Sequence, residues 1–163
     1  MSTIAYRDGI MSSDTRAYAG FNLPIGAKKK IRASEDGTLV GCTTHQPGLG
    51  EAFLAWICEG ADEPESAEYQ AIVVKPNGDV YYYRNGNQPS GPLEIDFIAV
   101  GSGAEAALGA MWMGASAEEA VGVAANIDVW SGLPTYSLAL VDMAPPERVA
   151  TRRKAKSSRD IIA

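Results

Sequence analysis

The chain predicts an α+β domain built from antiparallel sheets with helices on their faces. Three observations carry that reading. Apolar stretches flank Asp8-Gly9, Glu35-Asp36-Gly37 and Asn77-Gly78. Asp-Gly or Asn-Gly in such a setting marks a hairpin, because these residues tolerate positive φ. Helical signals are confined to three segments, near residues 49–59, 104–114 and 116–127. The hairpins are grouped apart from the helices, an order that argues against a doubly wound parallel sheet.

The first strand, TIAYR (3–7), starts directly behind the second residue, although chain starts are ordinarily frayed and polar. The return strand is IMSSDTRAY, about 10–18, and FNLPIG then reads as a loop. KKKIRAS and TLVGCTT form the second hairpin. GLGEAFLAWICEG follows as a helix over 49–59, with Ala52, Phe53, Trp56 and Ile57 on one face. Gly60 and ADEPES close it, and YQAIVVKPNGDVYYYR is the third hairpin. Leu93 to Val100 reads as one buried strand running into Gly101-Ser102-Gly103 and the helix AEAALGAMWMG. Ser116 opens the last helix, with Glu119 three residues on as a capping box, and that helix runs to about Ile127. TYSLALVDM is the final strand. There is no solenoid period and no low-complexity segment.

At 163 residues the chain suits one domain with a sizeable core. Residues 2–144 form that domain, and 145–163 form a basic tail. A net charge of −6 argues against nucleic acid as the main partner. No apolar run reaches membrane-spanning length, and the first residues lack the basic start and apolar centre of a signal peptide. Two cysteines, Cys42 and Cys58, make no disulfide framework, so a cytoplasmic protein is expected. The tail carries Arg148, Arg152, Arg153, Lys154, Lys156 and Arg159. It reads as a solvated flexible end, or as an arm for an acidic partner or a neighbouring subunit.

A small second residue permits removal of Met1, which would leave Ser2 with a free α-amine beside its own hydroxyl. A serine hydroxyl becomes a nucleophile when a base takes its proton. An α-amine, with a pKa of roughly 8, suits that work near neutral pH. A nearby lysine ammonium favours the neutral amine, and a carboxylate can hold the lysine in place. Asp14, on the strand paired with the first, and Lys30, in the KKKIR strand, supply both.

In this order, STIAYRDGIMSSD, KKKIR, GSG and DVWSG resemble the proteasome β-subunit and HslV-type peptidases, which are N-terminal nucleophile hydrolases. The resemblance covers residues 2 to 142. It implies a four-layer αββα sandwich of two antiparallel sheets. It also implies Ser2 as nucleophile, Asp14 as the family aspartate and Lys30 as the catalytic lysine. Ser102 matches the serine near the terminal amine, and Asp128 and Ser131 match the pair supporting it. The chain departs from the family in three ways. Serine replaces the usual threonine. The glycine-rich oxyanion turn reads GCTTHQPGLGEAF, which leaves Gly48 as the candidate oxyanion donor. Only one helix fits between Thr44 and Tyr69 where the family places two long ones, so one helical layer is shortened. Loss of that pair is expected to change or remove a back-to-back contact between rings.

The function so implied is peptide or amide hydrolysis, with a peptide or protein substrate and a homo-oligomer hiding the sites. The chemistry needs no metal or organic cofactor, and nothing in the sequence marks an ATPase unfoldase partner. One alternative is a catalytically inactive scaffold or assembly protein with the same fold. Another is an amidase acting on small molecules. Blander roles stay open for single residues. Asp14 can be a strand-end charge, Lys28 to Lys30 a solvated edge, Ser102 a helix N-cap or anion cradle, Asp128 a helix end and Ser131 a turn residue. His45 near Cys42 suggests a Cys/His nucleophile only weakly, and a zinc site of the usual kinds lacks ligands. Asp62, Glu63 and Glu65 read as an acidic loop, Tyr81 to Tyr83 as strand, and Met111 to Met113 with Leu108 as core or interface.

Overall fold

A computed structural model describes residues 2–19, 23–65 and 67–141. The basic tail lies outside the described residues. Strands β1 (Thr3–Arg7) and β2 (Ile10–Asp14) form the first hairpin. Asp8 and Gly9 both take positive φ at its turn, 50° and 81°. With β10 (Phe97–Gly101) and β11 (Thr135–Ala139) they make an antiparallel sheet in the order β10-β1-β2-β11. A second antiparallel sheet runs β5 (Ile31–Ala33), β6 (Leu39–Thr44), β7 (Tyr69–Val74), β8 (Val80–Arg84) and β9 (Ser90–Leu93). Helix α1 (Leu49–Glu59) interrupts this sheet, while α2 (Ala104–Trp112) and α3 (Ala117–Ile127) stand between β10 and β11.

The two-residue period of strands divides the interior into three clusters. Ile4, Tyr6 and Met11 face Leu39, Ile72, Val74 and Val80 between the two sheets. Their neighbours in sequence point the other way. Val40, Cys42, Ala71 and Val73 meet Phe53 and Leu54 of α1. Ala5 and Ala99 meet Ala107, Met111, Ala120 and Ala124 of α2 and α3. The alanines keep the two helices close to the sheet. Gly41 marks a close approach of the sheets, since a Cβ there would meet Ile4 at 2.9 Å and Met11 at 3.2 Å of the opposite sheet. The start of α3 matches its sequence signal: Ser116 and Glu119 close a reciprocal capping box. The end of α2 is capped from a distance, with Arg7 Nη1 donating to the carbonyls of Met111 at 2.5 Å and Ala115 at 2.9 Å.

Several sequence expectations need correction. The return strand does not run unbroken over 10–18. The chain leaves the sheet at Thr15, whose hydroxyl donates to Pro134 O at 2.6 Å, and continues as β3 (Arg16–Ala19). Part of the expected FNLPIG loop is strand β4 (Leu23–Ala27), paired with β3 in a two-stranded ribbon of its own. Pro24 fits there because an edge ribbon spares its missing N–H. Lys28 to Lys30 precede β5 rather than lying in it. Leu93 to Val100 is two strands in different sheets, because the exposed charges of Glu94 and Asp96 sit where the chain crosses over. On α1 the buried face is Leu49, Phe53 and Leu54, with Trp56 and Ile57 partly covered and Ala52 exposed. The last strand ends at Ala139, and residues 142 and 143 lie outside the described residues. The Met111–Met113 stretch, read as core or interface, divides: Met111 is core, and Trp112 and Met113 are exposed. No helix among the described residues is long and apolar enough to cross a membrane.

Candidate active site

Ser2 is buried, at 4% exposure, immediately before β1. Because β1 is a central strand paired on both sides, it holds that end of the chain in fixed register. The next amide, Thr3 N–H, donates to Asp14 Oδ1 at 2.9 Å across the first hairpin. Asp14 Oδ1 also accepts from Lys30 Nζ at 2.8 Å, and Asp14 Oδ2 accepts from Gly132 N–H at 3.0 Å. Asp14 and Lys30 are both buried, at 0% and 3% side-chain exposure. Lys30 stands just before β5, in the second sheet, so the ion pair joins the two sheets beside Ser2. Burial pushes the Lys30 ammonium below its ordinary pKa, and the Asp14 carboxylate offsets only part of that.

A second network lies on the other side of β1. Ser102 Oγ and Ser131 Oγ each donate to Asp128 Oδ2 at 2.6 Å. Ser131 thereby commits its only proton, so its 2.7 Å contact with Thr3 Oγ1 is one in which Thr3 donates. The hydroxyls are ordered in one direction, from Thr3 through Ser131 to Asp128, with Ser102 converging on the same carboxylate. Ser102 Oγ also lies 3.5 Å from Ser2 O. Ser102 does not cap α2, since the N-cap is Gly103 with no side-chain bond. Asp128 is the C-cap of α3, so it holds both a helix end and the network.

Glycines make room for this packing. A Cβ on Gly101, whose φ is +99°, would lie 1.9 Å from Ser2 O. One on Gly103 would lie 2.1 Å from Thr3 Oγ1, and one on Gly132 would lie 2.0 Å from Arg16 Nε. The Gly-Ser-Gly turn is therefore where the backbone passes closest to residues 2 and 3.

Ser2 and Lys30 line one cleft of about 380 Å³, together with Gly48, Glu51 and Leu54. Gly48 is the N-cap of α1 with φ 81°, so the amide groups that begin the helix, unpartnered within it, stand at the cleft wall. Lys28 Nζ bonds Glu51 Oε1 at 2.7 Å across the cleft. Cys42 is buried and its thiol is pushed up to about 12 by desolvation. His45 Nε2 turns instead to Glu68 at 3.7 Å. Among the described residues no group of three or more His, Cys, Asp or Glu side chains could hold a metal ion.

The structure thus gathers Asp14 and Lys30 at the Thr3 amide and Ser102, Asp128 and Ser131 at the Thr3 hydroxyl and the Ser2 carbonyl, with Ser2 beside both. Gly48 lines the same cleft as Ser2 and Lys30. Thr3, Arg16, Gly101 and Gly132 belong to the surroundings of the site and were not singled out as site residues by the sequence. For Thr3 the strand alternation was the available signal, because Ile4 faces the inter-sheet core and its neighbour must face away.

Solved structures align with most of the chain. Thiobacillus denitrificans BPH matches at a TM-score of 0.58 and 21% identity, over 86% of this chain and 98% of that one. The same protein in complex with epoxomicin matches at 0.58 and 22%, over 86% and 99%. Eukaryotic HslV from Trypanosoma brucei matches at 0.57 and 16%, over 85% and 98%. This is the HslV-type fold. No protein-family model and no curated protein matches the sequence. Within the HslV-type fold the Lys30–Asp14 pair sits at the start of the first strand and the Ser102–Asp128–Ser131 network at the strand-to-helix turn after β10.

Proposed function

We propose that the chain hydrolyses peptide or amide bonds with Ser2 as an N-terminal nucleophile, freed by removal of Met1. The observation that carries this reading is the buried Lys30–Asp14 ion pair, whose Lys30 lines the same cleft as Ser2. Burying a charged pair costs several kcal/mol of desolvation for each ion, a cost that packing alone does not demand at the start of a chain.

In this mechanism Ser2 Oγ attacks the substrate carbonyl carbon and its proton passes to the α-amine of the same residue. The C–N bond then breaks, the leaving nitrogen takes that proton, and an ester joins Ser2 to the acyl group. Water hydrolyses the ester with the amine again as base. Lys30 favours the neutral amine by repulsion, and Asp14 positions Lys30. Ser102, Asp128 and Ser131 support the amine through the Thr3 side of the strand. An amide at Gly48 stabilises the developing oxyanion.

The three packed interfaces support reading the architecture as a four-layer αββα sandwich, with α1 as the shortened outer layer. Exposed Trp112, Met113, Val129 and Leu133 suit contacts between copies in a homo-oligomer. Free Cys42 and Cys58 suit a reducing cytoplasm.

Intact-mass measurement tests the proposal. A mass lacking methionine, and one-to-one labelling by a peptide vinyl sulfone that disappears in Ser2→Ala, is the expected result. Retained methionine with no labelling favours a catalytically inactive scaffold instead.

A further inference from the structure

We propose that the cleft selects peptides with an acidic side chain on the residue whose carbonyl is attacked. This rests on the hydrolase reading above and names its substrate class. Four cations line the cleft, Arg16, Lys28, Lys29 and Lys30, against one carboxylate, Glu51. That is a local excess of positive charge on a chain of net charge −6. Lys30 is matched inward by Asp14, and Lys28 is matched by Glu51. Among the described residues neither Arg16 nor Lys29 pairs with a carboxylate.

Arg16 is held in place by a neutral group. Tyr18 commits its own hydroxyl proton to Val129 O at 2.6 Å and accepts from Arg16 Nη1 at 3.2 Å. The guanidinium is thus positioned without being neutralised, with Nη1 on Tyr18 and its Nε and Nη2 edge packed against Gly132. Lys29 lies 4.5 Å over the ring of Tyr136, which likewise leaves its charge in place.

The floor of the cleft is apolar, with Cys42 and Leu54 both buried. A volume of about 380 Å³ suits one side chain and its backbone. The methylenes of a glutamate side chain fit that floor while the carboxylate meets the cationic rim. A substrate lysine would meet like charge, and the single rim carboxylate is already engaged.

The test uses matched peptides with Glu, Gln or Lys at that residue. They are presented as vinyl sulfones to the full-length protein and, carrying a neutral dye, to the Ser2→Ala protein for fluorescence anisotropy. The Glu peptide is expected to label and bind about tenfold better than the Lys peptide, with the difference shrinking as salt rises. Exposed rim charges are worth about twofold to fivefold each. Glu51→Gln, which releases Lys28, should therefore widen the preference about threefold, and Lys28→Gln should narrow it by a similar factor. Equal or better binding of the Gln or Lys peptide overturns the inference, and so does no binding of any peptide. Acid-selective binding without labelling upholds it while removing Ser2 as nucleophile. Labelling without selectivity does the reverse.

Discussion

Lys30 Nζ donates to Asp14 Oδ1 at 2.8 Å with both side chains shut off from water, and the same oxygen receives the amide of the residue that follows Ser2. One carboxylate thus sets the place of the cation and of the chain end together. Removing one partner of a buried pair leaves an uncompensated charge and costs about 3–5 kcal/mol. Lys30→Met is accordingly expected to lower stability by about 3 kcal/mol and to abolish Ser2 labelling. Asp14→Asn combined with Lys30→Met should recover most of the stability and none of the labelling. Urea unfolding, read beside the intact mass, separates the two effects.

The depressed Lys30 pKa gives the two properties opposite pH trends. The mechanism needs the ammonium, so labelling should fall as pH rises through a value below the ordinary lysine pKa of 10.5. The unfolded chain holds that proton to higher pH than the folded one does. Between the two pKa values the unfolded state therefore binds more protons, and stability attributable to Lys30 rises with pH. It is full above 10.5 and lost as pH falls through the folded value. Lys30→Arg, which does not titrate in this range, should remove the alkaline loss of labelling in any activity it retains.

Gly101 and Gly103 leave no room for a methyl group. Gly101→Ala places Cβ 1.9 Å from the backbone oxygen of Ser2 and also strains a φ of +99°. It should displace the chain end, reduce labelling at least 100-fold and cost about 2–4 kcal/mol. Gly109→Ala is the control, since nothing lies within 4 Å of its added carbon, and it should leave labelling unchanged.

Cys42 should be inert. With its thiol pushed up to about 12, the thiolate fraction at pH 8 is about one in ten thousand. Iodoacetamide at pH 8 is expected to leave Cys42 unmodified in the native protein and to modify it in urea, as read by peptide mass mapping. Ready native modification would show a far more open cleft floor.

Much of the fold was written in local chemistry. Asp8-Gly9, Asn77-Gly78 and the Ser116–Glu119 box act over a few residues, and each appears where its residue types require. What was misread depended on partners distant in sequence. Thr15 leaves the sheet because Pro134 and Gly132 offer it bonds from far along the chain. Leu93 and Phe97 are apolar for two different sheets, so composition alone joined them into one strand. The site divides in the same way. Ser2, Asp14, Lys30, Ser102, Asp128 and Ser131 could be named from motif order, and the geometry brings them to both flanks of one strand. Arg16 could not, because its importance lies in a contact across the fold that no spacing encodes.

The close approach at Gly41 bears on when the surroundings of Ser2 take shape. Thr3 to Tyr6 lie on a fully paired strand clamped against the opposite sheet, so their amides should exchange with deuterium as slowly as any in the domain. A segment held this way opens only when the whole domain does. The surroundings of Ser2 are therefore complete only in the folded molecule, because Asp14, Lys30 and Gly132 come from distant parts of the chain.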